Sequence, residues 1–588
     1  MVTGGRRAAQ RTGPLAGPVD LPGLEVAPPG VLPVPGNRWD LALAVAPGDA
    51  REPAPVHDPG DARDPADARE PAPVHDPGDA RDPADARDPA DARDPGDARD
   101  PGDARDPDDA SDPGDARDPA GTCDSAAAHS GAHSGAHSAA RSAARSAARS
   151  GAHSDAPARG GPPSVTVVVT HFEQPRELAR TLHALTRQTG AGTTWRDVEV
   201  VVADDGSREP PAVPDGVRLV RQPDRGFRAG AARNLGAAAG RGEVLVFLDA
   251  DTTPEPGFLS AMVRLPACCP EALVVGRRRH ADLAATDPAA PVEQVGPQRE
   301  LPAPAWLDDA YAASRDLLDA DERSYRFVIA AVLACSRWLF EGLGGFDETF
   351  RAYGGEDWEL AARVWRHGGL LAHAPDAVAW HDGPDWAGRD EVERRARKLD
   401  ETLAVARRLD GPGATTTGLR LGPPDPVVVV AEGLDPTGVA VCVDSLLAAL
   451  PRARVHLSRA DHARLGGADD RLRLGRPDLR TASRLLEVRR PVRGPAAGWH
   501  AVLDALTGGD APGAVGVGGE GASGDGPGDG AAEWLRLTDL RTVRRRRRWA
   551  RAGAEGVDAL FGETTLTGLD LRPVAPDASL ESYLGGWG

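Results

Sequence analysis

Asp249-Ala250-Asp251 follows the apolar run Val-Leu-Val-Phe-Leu. On a strand, side chains two apart face the same way, so both carboxylates at its end can approach one cation. Hard oxygen donors of this kind suit Mg2+ or Mn2+, and such a cation often bridges to a diphosphate. The D-x-D pattern is common by chance; its place at the end of a strand gives it weight. A second acidic pair, Asp204-Asp205, ends another apolar run and leads into Gly-Ser, which is also a good turn sequence. A third, Glu356-Asp357, sits in RAYGGEDWELAARVWRHGG, from Arg351 to Gly369. The plain reading of that pair is a helix cap, about 0.5–2 kcal/mol. The chemical reading is a catalytic base, and the preceding glycines favour it. They let the backbone turn tightly and leave room for a ligand. The helix expected from Asp357 to His367 sets its positive dipole near the first carboxylate, which would keep Asp357 ionised and ready to accept a proton.

The elements that must hold these groups are legible. SVTVVVT from Ser164 is a β-branched strand, and RELARTLHALTRQ follows with Leu178, Leu182 and Leu185 on one helical face. DVEVVVADDGS, GVRLVRQ and EVLVFLDAD read as three more strands, with the small-residue helix AGAARNLGAAAG before the last. Strands alternating with helices predict an α/β fold with a mostly parallel sheet covered on both faces. Ligands bind such sheets at the carboxyl ends of the strands. Both strand-end acidic pairs therefore point to one edge.

The 588 residues divide into four stretches. Residues 1–162 carry REPAPVHDPGDARDPADA twice, six-residue DARDPA units and four-residue AHSG units, which bury nothing and read as a disordered low-complexity tail. Residues 163–410 form the domain with the acidic pairs, and 411–425 a linker. Residues 426–588 read as a degenerate second α/β domain. There PVVVVAEGLDPTGVAVCVDSLLAALP echoes the first strand and helix, and RGPAAGWHAVLDALTGGD echoes RGFRAGAARNLGAAAGRGE. On that alignment the acidic pair is replaced by the glycine-rich GVGGEGASGDGPGDG. Arg544–Trp549 (RRRRRW) reads as a solvated arginine-rich helix able to touch anionic lipid, a peripheral membrane contact.

A formal net charge of −20 argues against nucleic acid as a partner. Five cysteines without CxxC spacing predict a reduced, cytoplasmic protein without a zinc knuckle. No stretch approaches the roughly 20 apolar residues that span a bilayer.

Taken in order, VVVTHFEQP, VEVVVADDGS, RGFRAGAARNLGAAAGRGEVLVFLDAD, GGFDETFRAYGGEDWELAARVWRHG and AWHDGP resemble the family-2 glycosyltransferases. These are nucleotide-sugar enzymes of the glycosyltransferase A-type fold, and the GGED segment resembles the galactosyltransferase-type carboxyl half. The similarity covers about Ser164 to Asp385. It implies that Thr170 and Phe172 approach a uracil and that Asp205 binds the base or its ribose. It implies a basic nucleotide contact at Arg228 or Arg233, ribose or metal at Asp249, metal at Asp251 and His381, and the base of inverting members at Asp357. Glu356 would orient the acceptor or Asp357. Taken alone, His381 is an ordinary loop histidine, and Arg233 a partner for Asp224 or Glu243.

The expected activity is inverting, metal-dependent (Mn2+ or Mg2+) transfer from a UDP-sugar to a hydroxyl of a glycan or small-molecule acceptor. No Q-x-x-R-W follows in the catalytic half, which favours single additions over processive synthesis. Trp306, Tyr311, Trp338, Tyr353 and Trp358 are candidates for stacking on the acceptor or for core packing. Two rivals stand beside this reading. One is a non-catalytic nucleotide-sugar-binding or scaffold protein, which the tail and second domain would suit. The other is a nucleotidyltransferase, which would need a glycine-rich basic loop where THFEQP stands.

Overall fold

The computed structural model describes residues 161–351, 354–384, 399, 401–409, 419–508, 511–519, 533–554 and 557–585, with 19, 21, 23–28, 33, 34 and 36–45. The first lobe is built on one nine-stranded sheet. Its strands are β1 (Ser164–His171), β2 (Asp197–Asp204), β3 (Arg218–Arg221), β4 (Val244–Asp249), β5 (Thr252–Pro254), β6 (Ala272–Ala281), β7 (Glu300–Leu301), β8 (Val332–Ser336) and β9 (Leu370–Asp382). Their order is β3-β2-β1-β4-β8-β6-β9-β5, with β7 beside β6. The half from β3 to β4 is parallel, as the alternation of strands and helices predicts. The other half is mixed, because β8 enters antiparallel between β4 and β6.

Valine and leucine runs make the central strands: every β1 residue from Val165 on is buried, as are the first five of β4. Helix α1 (Trp39–Val45) precedes the sheet. Helix α2 (Pro175–Leu185) opens on a proline, whose missing N–H costs nothing at that position. It buries Leu178 and Leu182, while Leu185 is half-buried. Helix α3 (Ala229–Ala239) approaches the sheet closely: a Cβ on Gly236 would stand 2.4 Å from a Val168 methyl. Helix α4 (Phe258–Cys268) follows β5, and helix α5 (Glu356–Arg366) lies between β8 and β9.

The second lobe repeats the order of seven of these nine strands. Its strands are β10 (Val427–Val430), β11 (Arg454–Leu457), β12 (Leu472–Leu474), β13 (Arg484–Val488), β14 (Val492–Arg493), β15 (Ala514–Val517), β16 (Leu535–Asp539), β17 (Glu563–Leu566) and β18 (Arg572–Pro573). The sheet order is β12-β11-β10-β13-β16-β15-β17, and each pairing has the same sense as its counterpart in β3-β2-β1-β4-β8-β6-β9. Helix α6 (Pro436–Ala449) follows β10 as α2 follows β1. Helix α7 (Leu540–Arg551) follows β16. No helix among the described residues is long and apolar enough to cross a membrane.

Two expectations about the chain's organisation need correction. Val19, Leu24, Ala27, Val34, Asn37 and Ala42 are buried, so these residues do not belong to a solvated tail. They include apolar residues that the repeats lack, and Asn37 donates to the carbonyls of Leu317 and Leu371 at 2.5 and 2.7 Å. The repeats themselves, residues 411–418 of the linker and Tyr353 lie outside the described residues. The second correction concerns α7. Arg541, Arg544, Arg545 and Arg548 are buried, Arg545 completely, and their guanidinium groups donate to backbone carbonyls. An interior lined with unpaired carbonyl oxygens gives arginine enough acceptors to enter it. This face of Arg544–Trp549 therefore meets protein and not lipid.

Candidate active site

The β1–β2 and β1–β4 registers set Thr170 beside Asp249 and His171 beside Asp204, so three strands end level. A cleft of about 660 Å3 opens at that edge. Thr170, Phe172, Asp205, Arg233, Asp249, Asp251, Glu356, Asp357 and His381 all line it. The strand-end acids come from β2 and β4, and Glu356 and Asp357 come from the first turn of α5. The antiparallel pairing of β5 with β9 places Thr252 opposite His381, which brings His381 to Asp251. Arg228 is not among the lining residues. Its backbone N–H holds Asp205 Oδ2 at 2.8 Å, and its buried Nε has no hydrogen-bond partner.

Asp205 is buried, and its other carboxylate oxygen accepts from Gln222 Nε2 at 2.5 Å. Burial raises its pKa, against those two hydrogen bonds. Asp204 is the structural member of the pair. It accepts from His171, Ser207 and Arg221, and its carboxyl sits below the usual range because those donors outweigh its burial. Thr170 Oγ1 is buried at the cleft without a partner, and Phe172 is 46% exposed at its mouth.

Arg233 joins the two sides of the cleft. It is buried and donates to Asp249 Oδ1 and Glu356 Oε1, both at 2.8 Å, with its guanidinium 5.4 Å from the Phe346 ring centroid. Its partners are thus neither Asp224 nor Glu243. Glu356 is tied to this arginine, and its Oε2 is buried without a partner.

Asp357 is half-buried and accepts from the backbone N–H groups of Ala330 (3.3 Å) and Trp358 (2.8 Å). Its carboxyl is pushed up to about 7 by burial first and by the neighbouring Glu356 charge second. The Arg233 charge and the two backbone N–H donors oppose that rise. Gly354 and Gly355 have φ of 89° and 92°, left-handed values that a side chain resists. A Cβ on Gly355 would meet Val405 and Phe350, so it is packing and not a ligand that requires the glycine there.

Asp251 Oδ2 accepts from Gln174 Nε2 at 2.8 Å and lies 3.7 Å from His381 Nε2. A carboxylate oxygen and an imidazole nitrogen this close suit a divalent cation such as Mn2+. Asp249 does not complete a set with them as it stands, since Arg233 holds it. Among the described residues no group of three His, Cys, Asp or Glu could hold a metal.

Of the aromatic candidates for acceptor stacking or core packing, none among the described residues lines the cleft. Tyr311 is core, stacked on His373 and bonded to the Phe327 carbonyl; Trp338 and Trp358 pack on the core, and Trp306 is exposed elsewhere. The cleft wall uses Gln174, Phe227, Arg278 and Ile329–Ala331, which the sequence reading passed over. The strand-end rule would have found Gln222, which directly follows β3, had it been applied to polar residues as well as acids.

In the second lobe the acids are gone. Pro175 and Pro436 each stand six residues beyond an inner valine, Val169 and Val430, which aligns the two first strands. Val169 pairs with Leu248, and Val430 with Val488. Arg489 and Pro491 therefore replace Asp249 and Asp251, and by the same registers Ala460 replaces Asp205. This corrects the sequence alignment: RGPAAGWHAVLDALTGGD follows β13, the counterpart of β4, and matches α4 rather than α3. Between β16 and β17 the described residues hold only α7 and one 3-10 turn, so α5 has no counterpart there.

Residues 166–291 match the glycosyl transferase family 2 profile, and 316–379 match one described as the N-terminal domain of galactosyltransferase. The hyaluronan synthase of Pasteurella multocida is 28% identical over 265 residues, 41% of this chain and 27% of that protein. The chondroitin synthase of Escherichia coli is 28% identical over 258 residues, 40% of this chain and 37% of its own. Validoxylamine A glucosyltransferase of Streptomyces hygroscopicus subsp. jinggangensis is 30% identical over 228 residues, 35% of this chain and 52% of that one. The chain thus spans from about a quarter to about half of these curated relatives. A mannosyltransferase of Pyrobaculum calidifontis, solved with GDP-Man and Mn2+, matches at a TM-score of 0.31 and 21% identity over 48% of this chain and 76% of its own.

Proposed function

We propose, from the premise that this chain belongs to the family-2 glycosyltransferases, that its first lobe moves a sugar from a UDP-sugar to an acceptor hydroxyl with inversion, one addition at a time. The observation that carries this is the single cleft with Asp205, Asp249 and Asp251 at the strand ends and Asp357 on α5. Asp205, Thr170 and Phe172 bind the nucleoside. Asp251 and His381 would hold a divalent cation, with Asp249 beside them on Arg233, and such a cation would supply charge neutralisation for the diphosphate. Arg233, fixed between Asp249 and Glu356, adds a buried positive charge on the same side. Asp357 takes the proton of the acceptor hydroxyl as the oxygen attacks the anomeric carbon and the bond to the diphosphate breaks. A base near pKa 7 suits that task, being largely ionised just above neutrality while still basic enough to share the proton. The relatives named as synthases and as a glucosyltransferase support sugar transfer in general.

The test is Asp357→Asn, assayed with a panel of UDP- and GDP-sugars and titrated with UDP and Mn2+. The variant should lose about 10²–10⁴-fold in transfer, the worth of a general base, with UDP affinity within twofold of the parent. Unchanged turnover would remove Asp357 from the mechanism. An unmodified protein that neither binds any nucleotide nor releases UDP or GDP from any donor would favour the scaffold reading instead.

A further inference from the structure

We propose that the second lobe is a strut for the helix that carries the base, with Arg541, Arg544 and Arg548 as positioning residues. Helix α5 presents Glu356 and Asp357 to the cleft at one end. At its other end lie four consecutive carbonyls, from Arg366 to Gly369, and three guanidinium groups of α7 take all of them. Arg544 Nη1 donates to Arg366 O at 2.7 Å. Arg548 donates to His367 O at 2.8 Å and to Gly368 O at 3.2 Å. Arg541 Nη2 donates to Gly369 O at 3.1 Å, and its guanidinium lies 3.9 Å from the Trp365 ring centroid. The Arg366 and His367 carbonyls end α5, so the cations there also meet the negative end of its dipole, while those of Gly368 and Gly369 lie just beyond it.

The far side of the strut is fixed to the second lobe. Asp539 caps the start of α7 through the N–H groups of Arg541 and Thr542, and Arg544 Nη2 donates to Leu479 O and Ala482 O at 2.7 and 2.8 Å. Arg548 Nε and Trp549 Nε1 both reach Glu271, a buried carboxylate of the first lobe. An 11-residue helix is a rod of roughly 16 Å, so holding one end restrains the other. Displacing a reacting group by about 1 Å can cost about 10²-fold in rate. A copy without catalytic acids is therefore retained in the machinery by what it holds, not by what it binds.

This inference rests on Asp357 being the base, so the experiment reads the helix separately from the chemistry. Arg541→Lys loses the planar stack and two of the five N–H donors; Trp365→Leu removes the same contact from the first lobe and leaves α7 intact. Hydrogen exchange is measured on the full chain at 359–364 of α5 and at 165–171 of β1. The strut predicts at least tenfold faster exchange in α5 for both variants, with β1 unchanged. Unchanged exchange in α5, or equal acceleration in β1, overturns it. With an active donor, kcat should fall 10–100-fold while donor KM stays within twofold; a parallel loss of donor affinity also overturns it. If the parent protein transfers no sugar, the proposed function fails and the exchange result still decides the strut.

Discussion

The two lobes share a strand order and differ in what stands at its edge. In the first, β2 and β4 lead into Asp205 and Asp249-Ala250-Asp251; in the second, the same positions hold Ala460 and Arg489-Arg490-Pro491. Arg489 is paired with Glu487 and Glu533, which closes the copied edge on itself. The interiors keep the same logic, with valine runs in β1 and β10 and tryptophan and leucine beneath the helices. A fold thus survives the loss of its chemistry because core packing and edge chemistry draw on different residues. Both lobes bury charge, the first in Arg233 and Glu356 at its cleft and the second in the arginines of α7. Burial pushes Arg541 down to about 10, with the nearby acids opposing.

That contrast can be broken in measurable ways. Arg548→Ala leaves Glu271 in the interior without its charged partner, bonded only by Trp549, and should cost about 3–5 kcal/mol of stability, read by chemical denaturation; a loss below about 1 kcal/mol would mean the α7 contacts are weak. Asp251→Ala should weaken UDP binding by about 10–100-fold in Mn2+ and much less in chelator, whereas Pro491→Ala at the copied position should change neither. Equal loss with chelator would count against a bridging cation.

The base gives a pH signature of definite sign. Asp357 acts ionised and its carboxyl titrates near 7, so transfer should rise with pH through about 7 and level off above. Glu356→Gln removes a charge that raises that pKa and leaves Arg233 free to favour the ionised form. The rising limb should then move to lower pH, and an unmoved limb would separate the two carboxylates. The smallest effect is expected at an exposed pair of the second lobe. Asp478→Asn, facing Arg480 on the surface, should leave the denaturation midpoint unchanged within error.

Much of the first lobe was legible because its strands are short valine and leucine runs bounded by turns, and because the acids sit at their ends. Period-two alternation and the strand-end rule were enough to gather Asp205, Asp249 and Asp251, and the glycine pair marked the start of α5. What failed depends on contacts distant in sequence. The arginine run at 544–548 has the composition of a solvated helix; only the carbonyls of residues 366–369, some 180 positions earlier, make it interior. The stretch from Val19 to Val45 was lost beside the repeats, although Leu24, Val34 and Trp39 marked it as different. The copied lobe was misaligned because small residues in 496–504 resemble α3, whereas strand pairing assigns them to α4. The pKa of Asp357 follows from burial, which no local pattern reports.

The stereochemical course tests the central claim most directly. If Asp357 activates the acceptor across the cleft from the diphosphate, a single displacement inverts the anomeric centre. The anomeric proton coupling of the product, read by NMR at early conversion from an α-linked UDP-sugar, should be that of a β-linkage. A product keeping the α configuration would contradict it.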